Sequence, residues 1–455
     1  MRTAKNRDEI LAAIKGASEL TVDILSPEME SLFGAMGARS GFPEVNGLFM
    51  DLGGGSVQMT YVNSEAEDDY DVLAAEAASS MPFGAAKLTL ALSSQISAQE
   101  AKTELRTSMR DKFEALAKKF PRLKEQAESA DGITIYFCGG GFRGYGSMLM
   151  HTDPIQPYPI PAIGGYTVPG HRFIKWREMY HANNYEEGKI FGMSKRRREQ
   201  FQAIVTVVQS LVEAIPKIKE VTFCSGGNRE GVLYMKLSPK TRESNPLWLL
   251  PGGVANPDPK SVISVVDCMS SALPKGYPDI FLDPILNYVA RNIWQDMGNA
   301  DHTNSTKALS VPISGALAGL PGMTHETRAI IALTMCARWG ADLGPGDKKL
   351  RDNLRALVRQ ELSWWCDYIG TIARLLAAII PVFPGNDDLL RRLPALKAST
   401  SNGLGKKSHK VGIRLKIVPA EGTLKGVRAG MLECLFDKVG KGLHIGWKVE
   451  TEVED

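Results

Sequence analysis

The stretch GLFMDLGGGSVQMTYV, from Gly47 to Val62, decides how the rest of the chain is read. An apolar, strand-like run (Leu48, Phe49, Met50) delivers an acid, Asp51, into three consecutive glycines. A hydroxyl follows at Ser56, and a second strand returns through Val57, Met59 and Tyr61. Gly53, Gly54 and Gly55 permit positive φ and remove every Cβ from a hairpin tip. Bare backbone N–H groups there can close around an anion. An acid beside such a nest suits a metal ion or a water, because phosphate alone would repel it. The competing reading is a tight turn that merely tolerates glycine. Asp51 before and Ser56 after, with strands on both sides, favour phosphate binding.

Two further stretches echo this one: YFCGGGFR (Tyr136 to Arg143) and FCSGGNRE (Phe223 to Glu230). Each places glycines where an apolar strand ends, and ligands of open α/β sheets gather at such strand ends.

A chain of 455 residues is too long for one ordinary core, so two to four domains are expected. Hydrophobic content of 44% and charged content of 23% describe a globular protein. The formal charge of +3, from 54 basic and 51 acidic residues, is nearly balanced and implies no polyanion-binding surface globally, so nucleic acid is not expected as a partner. The six cysteines are scattered without a CxxC pair, which reads as reduced thiols inside a cell and argues against cysteine-bound metal. The longest apolar run, Leu375 to Phe383, is too short to span a bilayer, and no secretory leader is visible, so a cytosolic or nuclear location is expected, with the cytoplasm preferred.

The periodicity predicts helices over 7–17, 97–119 and 196–215, and strands over 20–25, 46–51, 57–63, 71–75, 133–138 and 221–224. Ser26 caps a helix with Pro27 at its first position and Glu28 and Glu30 in its first turn. Residues 258–385 are helical in pattern, 395–410 read as a flexible linker, and the tail alternates at period two around a helix near 425–438. The expected division is 1–45, 46–243, 244–396, a linker at 397–410, and 411–455.

On these motifs the chain resembles the exopolyphosphatase / guanosine pentaphosphate phosphohydrolase family, which has the actin-like ATPase (ribonuclease H-like) fold. ILSPEMESLFGAMG is similar to the family's ISGxEEARLIYLG helix, so the resemblance implies a catalytic role for Glu30. A first-turn carboxylate that only favours the helix dipole remains the other reading of that residue. DLGGGS corresponds to the family's second phosphate loop, implying phosphate or nucleotide binding by Asp51, Gly53, Gly54, Gly55 and Ser56, with Mg²⁺ held by Asp51. SMPFGAAKLT resembles SLPLGAVRLT at Gly84 and Lys87, and Arg2 matches a phosphate-facing arginine. The two later glycine motifs add Gly140, Arg143, Arg229 and Glu230 to the implied binding set, although Arg229 and Glu230 also read as a surface ion pair.

The departures are specific. No DxGSNxxR strand–loop precedes Met1, so the chain reads as lacking the N-terminal strands of the fold. Gln58 stands where the family has an acid, and Met29 and Leu32 replace charged residues. The implied architecture is an α/β actin-like core, then an all-helical domain and a small α+β unit. The C-terminal motifs are similar to a fungal retrograde-signalling branch of the family. That branch implies a nucleotide- or phosphate-sensing protein with regulatory protein partners and, as in the family, homodimers. An active Mg²⁺-dependent phosphohydrolase on polyphosphate or a guanosine polyphosphate is the alternative, and a non-catalytic scaffold a third. The charge run SKRRREQ (194–200) reads as a solvated helix face before it reads as a phosphate patch. No Asp follows His302 or His325 in the manner of an HD-type metal site, and Trp364 and Trp365 read as core or interface.

Overall fold

The computed structural model describes residues 5–20, 22, 24–42, 44–65, 69–249, 258–282, 284–320, 322–405, 410–421 and 429–454. Two units divide the chain: Met1–Thr152 with Ala162–Arg242, and Asp153–Pro161 with Glu243–Asp455.

The first unit is built on strands β1 (Asn46–Leu52), β2 (Val57–Asn63), β3 (Ser79–Met81), β4 (Ile133–Cys138), β5 (Thr167–Pro169) and β6 (Ile218–Phe223). Their order in the sheet is β3-β2-β1-β4-β6-β5. β1, β2 and β3 form an antiparallel meander, whereas β4 runs parallel to β1 and β6 parallel to β4. A meander continued by parallel strands on its first member is the ribonuclease H-like arrangement that the motifs implied.

Strand alternation sends Phe49, Asp51, Tyr136 and Cys138 to one face, and Leu48, Phe137 and Phe223 to the other. Helix α1 (Pro27–Arg39) covers the first face, burying Ala35, Met36 and Ala38 in one cluster with Phe49 and Cys138. It starts as its sequence dictates: the Ser26 hydroxyl accepts from the Met29 N–H at 3.3 Å, and Pro27 takes the first turn. On the second face, helices α2 (Gln95–Lys119), α3 (Gly139–His151) and α4 (Phe201–Ala214) follow one another. Phe142 of α3 stacks on Phe137 at 3.9 Å, and Tyr145 stacks on Phe201 at 6.2 Å, joining α3 to α4.

Helix α5 (Asn228–Lys236) lies against α1 with almost no separation. A Cβ on Gly37 would sit 1.9 Å from the Gly227 carbonyl oxygen, one on Gly226 1.9 Å from that of Gly37, and one on Gly231 1.9 Å from that of Phe33. Only glycine lets these backbones meet.

The second unit contains α6 (His325–Trp339), α7 (Pro345–Leu357) and α8 (Arg359–Ile379) and a sheet of β7 (Ala395–Leu404), β8 (Lys410–Val418) and β9 (Lys448–Val453). α6 and α8 cross closely, since a Cβ on Gly370 would lie 2.3 Å from the Thr334 oxygen. Trp364 is fully buried, stacked on Tyr368 at 5.5 Å and edge-on to Trp447 at 5.2 Å, so the tryptophan pair belongs to the core. The segment Asp153–Pro161 belongs to this unit: the Tyr158 hydroxyl meets His325 Nδ1 at 2.8 Å, and Asn353 Nδ2 donates to the Pro157 oxygen at 2.7 Å. No helix among the described residues is long and apolar enough to cross a membrane.

Three expectations are corrected. The strand over 71–75 is a helix, Tyr70–Ala77, with Tyr70, Asp71 and Ala74 buried at helical spacing. The described residues of 20–25 form no strand. The linker over 397–410 contains most of β7, which pairs antiparallel with β8 from Ala395↔Val418 to Ser401↔Gly412. β7 is an edge strand whose outward residues are polar, so its composition looks like a linker while its backbone makes the ladder.

Candidate functional site

β1, β4 and β6 are neighbours and parallel, so the three glycine turns that follow them emerge at one edge of the sheet. At the first turn the Gly53 N–H donates to the Ser56 oxygen at 3.0 Å. The Gly53 and Gly54 carbonyls accept from the N–H groups of Ala85, Ala86 and Lys87 at 2.9 to 3.1 Å, tying the hairpin to the first turn of helix Ala85–Leu92. Gly84 is forced by this contact, since a Cβ there would lie 2.3 Å from the nitrogens of Gly55 and Ser56. Among the described residues, the N–H groups of Gly54, Gly55 and Ser56 have no acceptor.

Gly53, Gly54 and Gly55 do not use the positive φ that glycine permits. A Cβ on Gly53 or Gly54 would meet nothing nearer than 3.6 Å, and one on Gly55 nothing within 4 Å. Neither backbone strain nor crowding inside the protein therefore demands glycine at the tip. A side chain there would obstruct only what approaches from outside.

The charged groups converge behind the hairpin. Asp51 Oδ1 lies so near Gly139 that a Cβ on Gly139 would be 2.1 Å away, and Gly139 has φ +82°. Burial pushes the Asp51 carboxyl up to about 6; the Arg143 cation opposes the shift and the Glu30 charge adds to it. Glu30 on α1, Asp51 on β1 and Arg143 on α3 thus lie within electrostatic reach of one another. Arg143 Nη1 donates to the Ser225 oxygen at 3.4 Å, reaching the turn after β6. Arg197 stands beside Gly140, its Nη2 3.7 Å from where a Cβ would be, and donates through Nη1 to the Gly192 oxygen at 2.6 Å. Burial and then the Arg143 charge lower its pKa. One member of the run read as a solvated face therefore sits half-buried at the second glycine turn.

Oxygen donors surround Asp51. Asn228 Oδ1 lies 3.0 Å and Gln58 Oε1 3.7 Å from the Cβ position of Gly34, with Asp51 Oδ2 at 3.9 Å. Asn228 Oδ1 is buried without a hydrogen-bond partner among the described groups. A cavity of about 20 Å³ between Gly34, Asp51 and Gln58 has room for one water. An all-oxygen set with an orphaned acceptor fits a hard cation such as Mg²⁺, which binds through one or two carboxylates and keeps several waters. No group of three His, Cys, Asp or Glu side chains suited to a metal occurs among the described residues, so such an ion would rely on waters and ligand oxygens.

Of the other expected residues, Arg2 lies outside the described residues. Glu230 Oε2 accepts the Gly227 N–H at 2.9 Å and so caps α5, while Arg229 is exposed. No ion pair joins Arg229 to Glu230 among the described residues. Gly139 and Asn228 are not singled out in the sequence, and Arg197 reads there only as one of a charged run. Gly139 carried a signal as the first glycine after β4, whereas Arg197 reaches the turn only through tertiary packing.

The sheet order and its glycine-turned edge define a protein of the actin-like, ribonuclease H-like class. The chain belongs to the Ppx/GppA phosphatase family, whose model matches residues 1–240. Residues 254–454 match the RTG2 C-terminal domain. Retrograde regulation protein 2 of Saccharomyces cerevisiae is 29% identical over an alignment of 396 residues that covers 84% of this chain, and the chain spans 66% of that relative's length. Among solved structures, the type II variant of the Aquifex aeolicus Ppx/GppA phosphatase is similar at 19% identity and a TM-score of 0.37, over 52% of this chain and 72% of its own. An exopolyphosphatase from Cytophaga hutchinsonii is similar at 19% identity and a TM-score of 0.37, over 51% and 71% of the two chains.

Proposed function

We propose that this chain is a cytoplasmic signalling protein of the retrograde type that senses a nucleotide or polyphosphate at the glycine-turned edge of its first unit. The observation that carries the reading is the hairpin tip: Gly53, Gly54 and Gly55 are bare although nothing inside the protein requires it, and the N–H groups of Gly54, Gly55 and Ser56 are left without acceptors. Phosphate oxygens suit those donors, and the Arg143 and Arg197 guanidiniums supply charge-assisted contacts on the other side. Asp51 would hold Mg²⁺, with Asn228 and Gln58 as neighbouring oxygens. When bound, the ion neutralises phosphate charge. The output of such a sensor passes to regulatory protein partners.

A second reading, hydrolysis of the terminal phosphoryl group, is favoured by one observation: the Glu30 charge is felt at Asp51. Glu30 would orient or deprotonate a water for in-line attack, while the hairpin and arginines hold the phosphate. The deciding experiment is calorimetric titration of nucleoside triphosphate and tripolyphosphate with Mg²⁺, alongside an assay of phosphate release. Binding without release supports the sensor, and release that Glu30→Gln abolishes supports the enzyme. Neither binding nor release leaves a scaffold.

A further inference from the structure

We infer that the second unit carries its own site for a compact phosphorylated anion, in the cleft enclosed by α6, α7, α8 and the segment 435–443. The cleft has a volume of about 640 Å³, within the range of small-molecule sites. Six cations line it, Lys348, Arg351, Arg355, Arg374, Lys438 and Lys441, against three carboxylates. Two of the carboxylates are engaged by arginine, and the third, Asp342, is fully exposed. Asp367 takes Arg355 through both oxygens at 2.9 and 2.8 Å, Asp352 takes Arg351 at 3.1 Å, and Asp342 lies 3.9 Å from Lys438. The side chains of Lys348, Arg374 and Lys441 have no hydrogen-bond or carboxylate partner among the described residues, an excess of three positive charges.

The walls are held in place. Buried Asp367 also accepts the Gly440 N–H at 3.2 Å, and Arg355 Nη1 donates to the Lys441 oxygen at 3.3 Å, so the segment bearing Lys441 is pinned to α8 and α7. Arg374 is half-buried and pressed on the left-handed Gly340, where a Cβ would come within 2.3 Å of its Nη1. A guanidinium partly removed from water without a counter-charge is unfavourable until an anion joins it. Arginine's planar fork with two lysine point charges suits phosphate oxygens. No aromatic side chain is among the described residues lining the cleft, so nothing stacks on a nucleobase. The ligand class is therefore a pyrophosphate or a small bisphosphorylated metabolite rather than a nucleoside.

The test is calorimetric titration of the full chain with inorganic pyrophosphate and, separately, fructose 1,6-bisphosphate, both without Mg²⁺. The Arg143→Gln/Arg197→Gln variant weakens the first unit's site, and adding the Lys348 and Lys441 changes to it shows how much of the remaining binding belongs to the second. We expect that variant to keep one site, and the added changes Lys348→Glu and Lys441→Glu, both at exposed positions, to weaken it at least tenfold. Arg374→Gln should do the same, and Lys349→Glu, outside the cleft, should not. The preferred probe tells an inorganic from an organic ligand. Absence of binding in the Arg143→Gln/Arg197→Gln variant, indifference to the Lys348 and Lys441 changes, or equal affinity for citrate would overturn the inference.

Discussion

A carboxyl raised to about 6 by burial is still ionised near neutrality, so the native chain carries a charge at Asp51 that the unfolded chain carries more easily. Below the ordinary carboxylate range both states are protonated and the residue contributes nothing. As pH rises from that range to about 6 the native state holds the extra proton, so stability falls, and it stays reduced above. Asp51→Asn should therefore be more stable than the parent at neutral pH by about 2–3 kcal/mol, with the difference gone below roughly pH 4. Urea unfolding at the two pH values measures this, and equal midpoints at neutral pH would contradict it. The same variant should lose Mg²⁺-dependent ligand binding. The glycines separate by the same logic. Gly55→Ala should leave stability unchanged or raise it by about 0.4–1 kcal/mol, while ligand affinity drops at least tenfold. Gly139→Ala, strained in φ and crowded by Asp51, should instead destabilise the fold by about 1–3 kcal/mol.

At the scale of elements, α1 brings Glu30 to Asp51 because three glycines let it lie against the turn that starts α5. Gly37→Ala drives a methyl into the Gly227 carbonyl and should cost about 1–3 kcal/mol in chemical denaturation. If the helix shifts to relieve the clash, ligand affinity falls with it, whereas unchanged stability would show that the contact is loose in solution. The sequence announced α1 through Ser26 and Pro27, and β1, β4 and β6 through apolar runs that end near glycine. It misled where the run was short or the strand polar. Val72 is more than half exposed although it sits in what reads as an apolar strand, and β7 buries Leu396 and Leu404 while exposing most of the residues between. Arg197 was illegible for a different reason: nothing local distinguishes it from its neighbours, and only the packing of α3 beside it makes it part of the edge.

Across the whole molecule, two units with separate cores should respond separately to their ligands. Ligand at 100 times its dissociation constant stabilises whatever it binds by about 2.7 kcal/mol. In calorimetry, Mg²⁺–nucleotide is expected to raise one unfolding transition and pyrophosphate to raise another. A single transition moved equally by both would show the units to unfold as one.

The chain enters the second unit twice, at Asp153–Pro161 and again from Glu243. The first visit is made during synthesis before α6 and α7, which Tyr158 and Pro157 meet, have been translated. A C-terminal fragment started at Glu243 would therefore be missing an internal strap, although such a cut looks clean in sequence order. The fragment should melt lower than the intact unit and be rescued by a synthetic peptide of 153–161, so surgery between the two units has to follow the fold's connectivity.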